Sequence, residues 1–153
     1  MEIVSYLIEN HVIRFRNNNL EFLLLKRAAS QTYPDIWQMI TGSVEENEKA
    51  FIAAVRELFE ETSLKPDKIW LVPNVNSFYE PAKDVICLVP VFVSLVNTDA
   101  KVSISNEHSE FKWVNKEEAV EMLAWQGQRK SVEIIYDYFM NKISTYKFIE
   151  LKN

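Results

Sequence analysis

The stretch that most constrains this chain is residues 42–64, Gly-Ser-Val-Glu-Glu-Asn-Glu-Lys-Ala-Phe-Ile-Ala-Ala-Val-Arg-Glu-Leu-Phe-Glu-Glu-Thr-Ser-Leu. It opens on Gly42, one of 2 glycines in the protein, and continues without a proline as an amphipathic helix. At about 100° per residue, Glu57, Glu60 and Glu61 share one arc of roughly 100°. Ala50 and Ala53 fall within it, while Phe51, Ile52, Val55, Leu58 and Phe59 take the opposite arc. The pattern predicts one face packed into a core and another presenting carboxylates over a shelf of small residues. These acids sit toward the helix C-terminus, the end at which the macrodipole disfavours negative charge. A cation resting on them would relieve that. Clustered hard oxygen donors suit Mg²⁺, and Mn²⁺ as well, whereas Zn²⁺ prefers His or Cys. A solvated acidic face is the ordinary alternative, and the residues by themselves leave both readings open.

The rest of the chain bounds what such a helix can serve. A length of 153 residues fits one domain, 1–153, with a substantial core, and no Pro/Gly/Ser-rich linker divides it. The net charge of −5 and the lack of any basic run argue against nucleic acid as a partner. A small anionic substrate stays compatible if a metal and a few local cations receive it. The single cysteine, Cys87, excludes an intramolecular disulfide and reads as a buried thiol. Neither a signal peptide nor an apolar run of membrane-spanning length is present, so no membrane partner and a cytoplasmic location are expected.

Around the helix the chain is largely extended. Residues 2–8 and 11–16 read as strands, Asn17-Asn18-Asn19 as a turn, and Leu20–Lys26 as the second arm of a hairpin. A loop over 28–36 leads to a short strand, Trp37–Ile40. Pro66 and Pro73 mark loops after the helix, and Val75–Tyr79 and Val85–Val96 read as strands around a polar 80–84 loop. Short strands are predicted over Val102–Ile104 and Glu110–Val114. Asn115 suits the N-cap of a helix over Lys116–Leu123, with Glu118 at capping-box spacing. A longer helix runs from about Gln128 to Met140, and the tail from Ile143 to Leu151 reads as an added strand. Strands, helix, strands, helices imply an α/β fold with a mixed central sheet between helices.

The 42–64 stretch resembles the Nudix box, G-x5-E-x7-R-E-U-x-E-E-x-G-U, with U aliphatic. Gly42, Glu48, Arg56, Glu57, Leu58, Glu60, Glu61 and Leu64 fall on its defined positions, and only Ser63 departs, standing where the box has its second glycine. That glycine suits a left-handed residue after a helix, where serine costs on the order of 1 kcal/mol. Trp37-Gln-Met-Ile-Thr-Gly-Ser-Val-Glu-Glu46 and Glu107-His-Ser-Glu-Phe-Lys-Trp113 are similar to segments of bacterial dATP pyrophosphohydrolases, which are also dihydroneopterin triphosphate pyrophosphatases. That branch also tends to lack the second glycine.

The resemblance implies a Nudix-like α/β/α sandwich and a Mg²⁺-dependent pyrophosphohydrolase releasing pyrophosphate from a nucleotide or pterin triphosphate. By motif position, Glu57 and Glu61 would be the principal metal ligands, with Glu60 and the Thr41 carbonyl completing the shell. Arg56 and Glu48 would hold loop and helix together, Arg56 orienting a carboxylate. Glu107 is the first choice for general base, with Glu60 and Glu110 as rivals. Lys26, Arg27 and Lys112 are candidates for phosphate contacts, Arg27 the best placed. Trp37, Phe78, Tyr79 and Trp125 are candidates to stack on a base or pterin ring, though the core suits each aromatic as well. Arg129 matches a branch position facing substrate. A dinucleoside polyphosphate or nucleotide-sugar hydrolase is the nearest rival function, and a nucleotide-sensing module without turnover is the rival from another class. A homodimer is compatible with the sequence, in which no heptad establishes one.

Overall fold

A computed structural model describes residues 1–143 and 145–152. In order it contains β1 (Glu2–Val4), β2 (Leu7–Arg16), β3 (Asn19–Arg27), β4 (Trp37–Gln38), β5 (Ile40–Ser43), α1 (Ala50–Thr62), β6 (Lys68–Glu80), β7 (Val85–Leu95), β8 (His108–Val114), α2 (Lys116–Met122), α3 (Gln126–Phe139) and β9 (Ile149–Leu151). The strands form one mixed sheet with the path β4-β3-β2-β7-β6-β9. Strand β2 is its hub, parallel to β7 and antiparallel to β3 and β5.

Strand alternation divides the interior between the two faces. On one, Val12, Leu23, Leu25 and Ile40 pack with Leu58 of α1. On the other, Ile13, Phe22, Leu24 and Val93 pack with Ala119 and Leu123 at α2 and with Val132 and Ile135 of α3. The result is an α/β/α sandwich with α1 alone on its side. Local chemistry sets the connections. Asn17 and Asn18 take φ of 51° and 63°, which a tight two-residue hairpin turn requires and asparagine tolerates. Asn115 caps α2 in a full capping box with Glu118.

Several expectations need correction. The first extended segment breaks at residues 5–6 rather than at 9–10, because Glu9, Asn10 and His11 are buried in β2 with polar partners. Pro73 does not end a strand, since β6 runs through it and shifts register between Leu71 and Val75. Val102–Ile104 is not a strand. Its neighbourhood instead serves the end of α1, Ser103 N donating to Thr62 O at 2.9 Å and Ser105 N to Glu61 O at 3.2 Å. These bonds satisfy carbonyls that a helix terminus leaves without partners. Of the tail, Ile149–Leu151 pairs with β6; the strand expected over Ile143–Leu151 also includes Ser144, which lies outside the described residues.

The largest correction concerns the rotation of α1. Ala53, Ala54 and Leu58 are fully buried and Glu61 nearly so, while Phe59 is 50% exposed and Phe51, Ile52 and Val55 are half-buried. The arc carrying Glu57 and Glu61 therefore turns toward the sheet, not away from it. Small side chains cause this. Alanines let the helix backbone approach β2 closely enough for Asn10 Nδ2 to donate to Ala54 O at 3.1 Å. Asn10 in turn accepts from Ser94 Oγ at 3.0 Å, so the buried amide is bonded at both ends. Of the arc expected to face the core, Leu58 does so and Phe51 and Val55 pack partly against it, while Phe59 is left outside.

Candidate active site

The site is assembled where the C-terminal half of α1 meets β5 and two loops, 28–36 and 96–107. Gly42 makes room for the Glu57 carboxyl group, which a Cβ there would overlap unless that side chain moved. Arg56 then fixes the geometry. Its Nε and Nη2 donate to the two oxygens of Glu48 at 2.8 and 2.9 Å, a fork on a carboxylate. The same guanidinium donates to Ser43 O at 2.8 Å, to Glu57 Oε1 at 2.9 Å and to Glu60 Oε2 at 3.2 Å. Glu48 also accepts from Glu45 N at 3.0 Å, clipping the loop before α1 onto the helix. The Arg56 hydrogen bonds hold Glu48 down at about 2.

A cleft of about 370 Å³ opens beside these residues, lined by Ser30, Gln31, Glu57, Glu60, Glu61, Ser105, Asn106 and Glu107. Its electrostatics are unfavourable as they stand. Burial, reinforced by the charges of Glu57 and Glu107, pushes Glu61 up from an ordinary 4.5 to about 9. Burial also raises Glu57, against the pull of Arg56. His108, buried at the start of β8, lies with Nε2 3.7 Å from Glu61 Oε1 and 3.5 Å from Gln38 Nε2. Burial and then the charge of Arg27 lower it to about 4, so the imidazole is neutral at pH 7. Glu61, Glu107 and His108 each offer a ligand atom within 4.8 Å of the others. Among the described residues Glu61 Oε2 and His108 Nδ1 have no hydrogen-bond partner although both are buried. A buried acceptor with no donor, facing further carboxylates, fits a hard divalent cation: it would compensate their charge and take up the orphaned lone pairs.

The structure thus brings Glu57, Glu60, Glu61 and Glu107 to one cleft. Thr41 directly precedes Gly42 on β5, and Arg27 ends β3 with its charge felt at both Glu61 and His108. Arg27 also donates from Nε to Thr32 O at 2.5 Å, tying the 28–36 loop in place. Other expected contacts are engaged outside the cleft lining. Lys26 pairs with Glu110 at 3.2 Å, which also draws that rival base away, and Lys112 pairs with Glu118 at 3.6 Å. Tyr79 donates to Asp84 at 2.9 Å on the β6–β7 hairpin, and Trp37 packs on the α2/α3 side of the sheet. Arg129 donates to Leu123 O at 2.7 Å, bracing the start of α3. Sequence reasoning missed Ser30, Gln31, Ser105 and Asn106 as walls, and Gln38 as the neighbour of His108. Only Gln38 left a signal, a lone amide inside the apolar strand Trp37–Ile40.

Comparison with known proteins places this geometry. The family model described as NUDIX domain matches residues 10–135. An octanoyltransferase of Myxococcus xanthus is 33% identical over 129 residues, covering 80% of this chain, which spans only 34% of that protein. A dihydroneopterin triphosphate diphosphatase of Haemophilus influenzae is 27% identical over 80% of this chain and 82% of its own length. An asymmetrical bis(5′-nucleosyl)-tetraphosphatase of Caenorhabditis elegans is 30% identical over 67% of this chain and 73% of its own. Among solved structures, a Listeria monocytogenes protein assigned as a NUDIX hydrolase superposes with a TM-score of 0.76 at 24% identity, covering 90% of this chain and 95% of its own, which shows the shared fold.

Proposed function

The chain belongs to the Nudix family, whose members hydrolyse phosphoanhydride bonds, and from that premise we propose that it is a divalent-metal-dependent pyrophosphohydrolase. Its substrate in this reading is a nucleoside triphosphate or related compound, dATP- or dihydroneopterin triphosphate-like, from which it releases pyrophosphate. One observation carries the proposal: Glu61, a buried carboxylate with an orphaned oxygen, opposes Glu57 and Glu107 in an open cleft. Arg56 offsets part of the Glu57 charge and Arg27 part of that at Glu61, but Glu61 is still held near 9, and a cation shared with phosphate would compensate the cluster.

Glu57 and Glu61 would hold the ion, Mg²⁺ first and Mn²⁺ also, assisted by Glu60 and the Thr41 carbonyl. The chemistry such a cation would supply is neutralisation of phosphate oxygens and a lowered pKa for the attacking water. The chain's own residues do the rest. Arg56 keeps Glu57 in one rotamer, so that no reorganisation is needed during reaction. Glu107, on the loop wall, accepts the proton of the attacking water. Arg27, whose charge reaches Glu61 and His108 from the end of β3, is the candidate to meet a phosphate. The H. influenzae relative motivates the pterin substrate, and the C. elegans relative motivates a dinucleoside polyphosphate as the second reading. A sensor without turnover would have no need of all the metal-binding acids.

The test is a panel of (d)NTPs, dihydroneopterin triphosphate, dinucleoside tetraphosphates and nucleotide sugars incubated with purified protein and Mg²⁺. Cleavage of a triphosphate to monophosphate and pyrophosphate is expected, and its loss in Glu61→Gln. Binding of a panel member with hydrolysis of none would leave the sensor standing instead.

A further inference from the structure

His108 is a buried group that the cleft chemistry above leaves unused. It opens β8, directly after Glu107. Consecutive residues of an extended chain point to opposite sides, so with Glu107 in the cleft His108 would be sent away from it. Two local irregularities prevent that. His108 N donates to Ser105 O at 3.2 Å, closing a tight turn just before the strand. In the β3–β8 ladder Lys26 faces Glu110 and Arg27 faces His108, which leaves Ser109 without an opposite residue. A bulge of this kind re-aims a side chain. Both neighbours therefore turn to the same carboxylate, and a donor atom each of Glu107, His108 and Glu61 lie within 4.8 Å of one another.

His108 is 5% exposed, yet neither ring nitrogen has a close hydrogen bond among the described residues. Nδ1 has no partner at all. Nε2 has only the Gln38 amide nitrogen at 3.5 Å and Glu61 Oε1 at 3.7 Å, both beyond the roughly 2.7–3.2 Å of an ordinary bond. A core histidine kept for structure would have its nitrogens paired, because an unpaired buried polar atom costs free energy. Glu61 shows the same want on the facing side, its Oε2 buried and unpartnered. A neutral imidazole always carries a lone pair on one nitrogen. Donors that share one small divalent ion lie at most roughly 4.5 Å apart, so the 3.7 Å between Nε2 and Glu61 Oε1 suits two ligands of one ion.

We propose that His108 is a nitrogen ligand, completing with Glu61 and Glu107 a mixed nitrogen–oxygen metal position that selects Mn²⁺ over Mg²⁺. This rests on the metal-dependent reading above, in which oxygen donors alone hold the ion. Mg²⁺ favours an all-oxygen shell, whereas an imidazole raises affinity for transition metals more than for Mg²⁺. The two carboxylates keep the position suited to Mn²⁺, the first-row ion that oxygen donors fit.

The experiment loads tag-free protein, its histidines labelled with ¹⁵N in the ring, with Mn²⁺ and reads nitrogen coupling by pulsed electron paramagnetic resonance. The chain has 2 histidines, and His11 is bonded to Glu9 Oε2 at 2.8 Å, so a label on the metal reports His108. A directly bound ¹⁵N is expected in the wild type and none in His108→Gln. By calorimetric titration the wild type should bind Mn²⁺ more tightly than Mg²⁺. His108→Gln should narrow that ratio by roughly tenfold or more, chiefly through Mn²⁺. Mn²⁺ bound without ¹⁵N coupling overturns the proposal, as does failure of Mn²⁺ to bind. So does a His108→Gln variant that loses both metals alike, the mark of a merely structural residue. The labelled wild type needs no substitution, so its result stands even where the variant fails to fold. The hydrolase reading fails separately, through a substrate panel in which nothing is cleaved.

Discussion

Replacing Glu61 by glutamine should stabilise the metal-free protein while disabling it. Glu61 is 3% exposed, and its carboxyl is held near 9 instead of 4.5. Between those values the folded chain keeps a proton that the unfolded chain has released. Stability then falls as pH rises, by about 1.4 kcal/mol per unit. His108 works in the opposite direction over a lower window. Lowered from 6.5 to about 4, it leaves the unfolded chain with the extra proton, so stability rises with pH there. The two offset each other up to pH 6.5, and above it the Glu61 contribution is no longer offset by His108. From pH 6.5 to 9 the loss is about 3 kcal/mol, or roughly 10 °C in Tm for a chain of this size. Thermal unfolding followed by circular dichroism in a chelator, at pH 5 to 9, measures it. The wild type should lose stability above pH 6.5, and Glu61→Gln should be nearly flat there and the more stable of the two at pH 8. Adding Mg²⁺ or Mn²⁺ at pH 8 should raise the Tm of the wild type and leave the variant unmoved. Parallel pH profiles for the two proteins would refute the claim that Glu61 is buried without compensation.

Two further substitutions probe the frame around that carboxylate. Gly42→Ala places a methyl group where the Glu57 carboxyl lies, so Mn²⁺ affinity should drop by roughly tenfold or more, with the circular dichroism spectrum preserved. Unchanged affinity by titration would show that the glycine serves only the turn. Ser63 closes α1 with φ of 63° and ψ of 11°, a left-handed residue. Ser63→Gly should therefore add on the order of 1 kcal/mol, seen as a Tm higher by roughly 2–4 °C with turnover unchanged.

Much of the frame was legible because it is written in short range. Capping of α2 needs only Asn115 and Glu118, the β2–β3 turn needs only two asparagines, and the left-handed end of α1 follows from the place of Ser63. Segments whose hydrogen bonds are settled at a distance were misread. Val102–Ile104 has the composition of a strand, but its backbone neighbours donate to the end of α1. Pro73 carries a loop signal, but lies where β6 shifts register and needs no ladder donor.

The same division runs through the site. Residues 42–64 by themselves determined the relative angles of Glu57, Glu60 and Glu61 on a helix, since 3.6-residue periodicity fixes them, while the pairing of Arg56 with Glu48 in the loop before α1 was implied by the motif. Periodicity says nothing about which way the helix is rolled. That was decided by closest approach: Gly42, Ala53 and Ala54 let the acidic arc sink against β2 and β5, and Phe59 was left outside. Burial followed from the roll, and with it the raised Glu61 and its orphaned oxygen. Likewise only the fold could set Glu107 opposite Glu61 and His108 beside it, because those pairs are joined through the sheet and not along the chain.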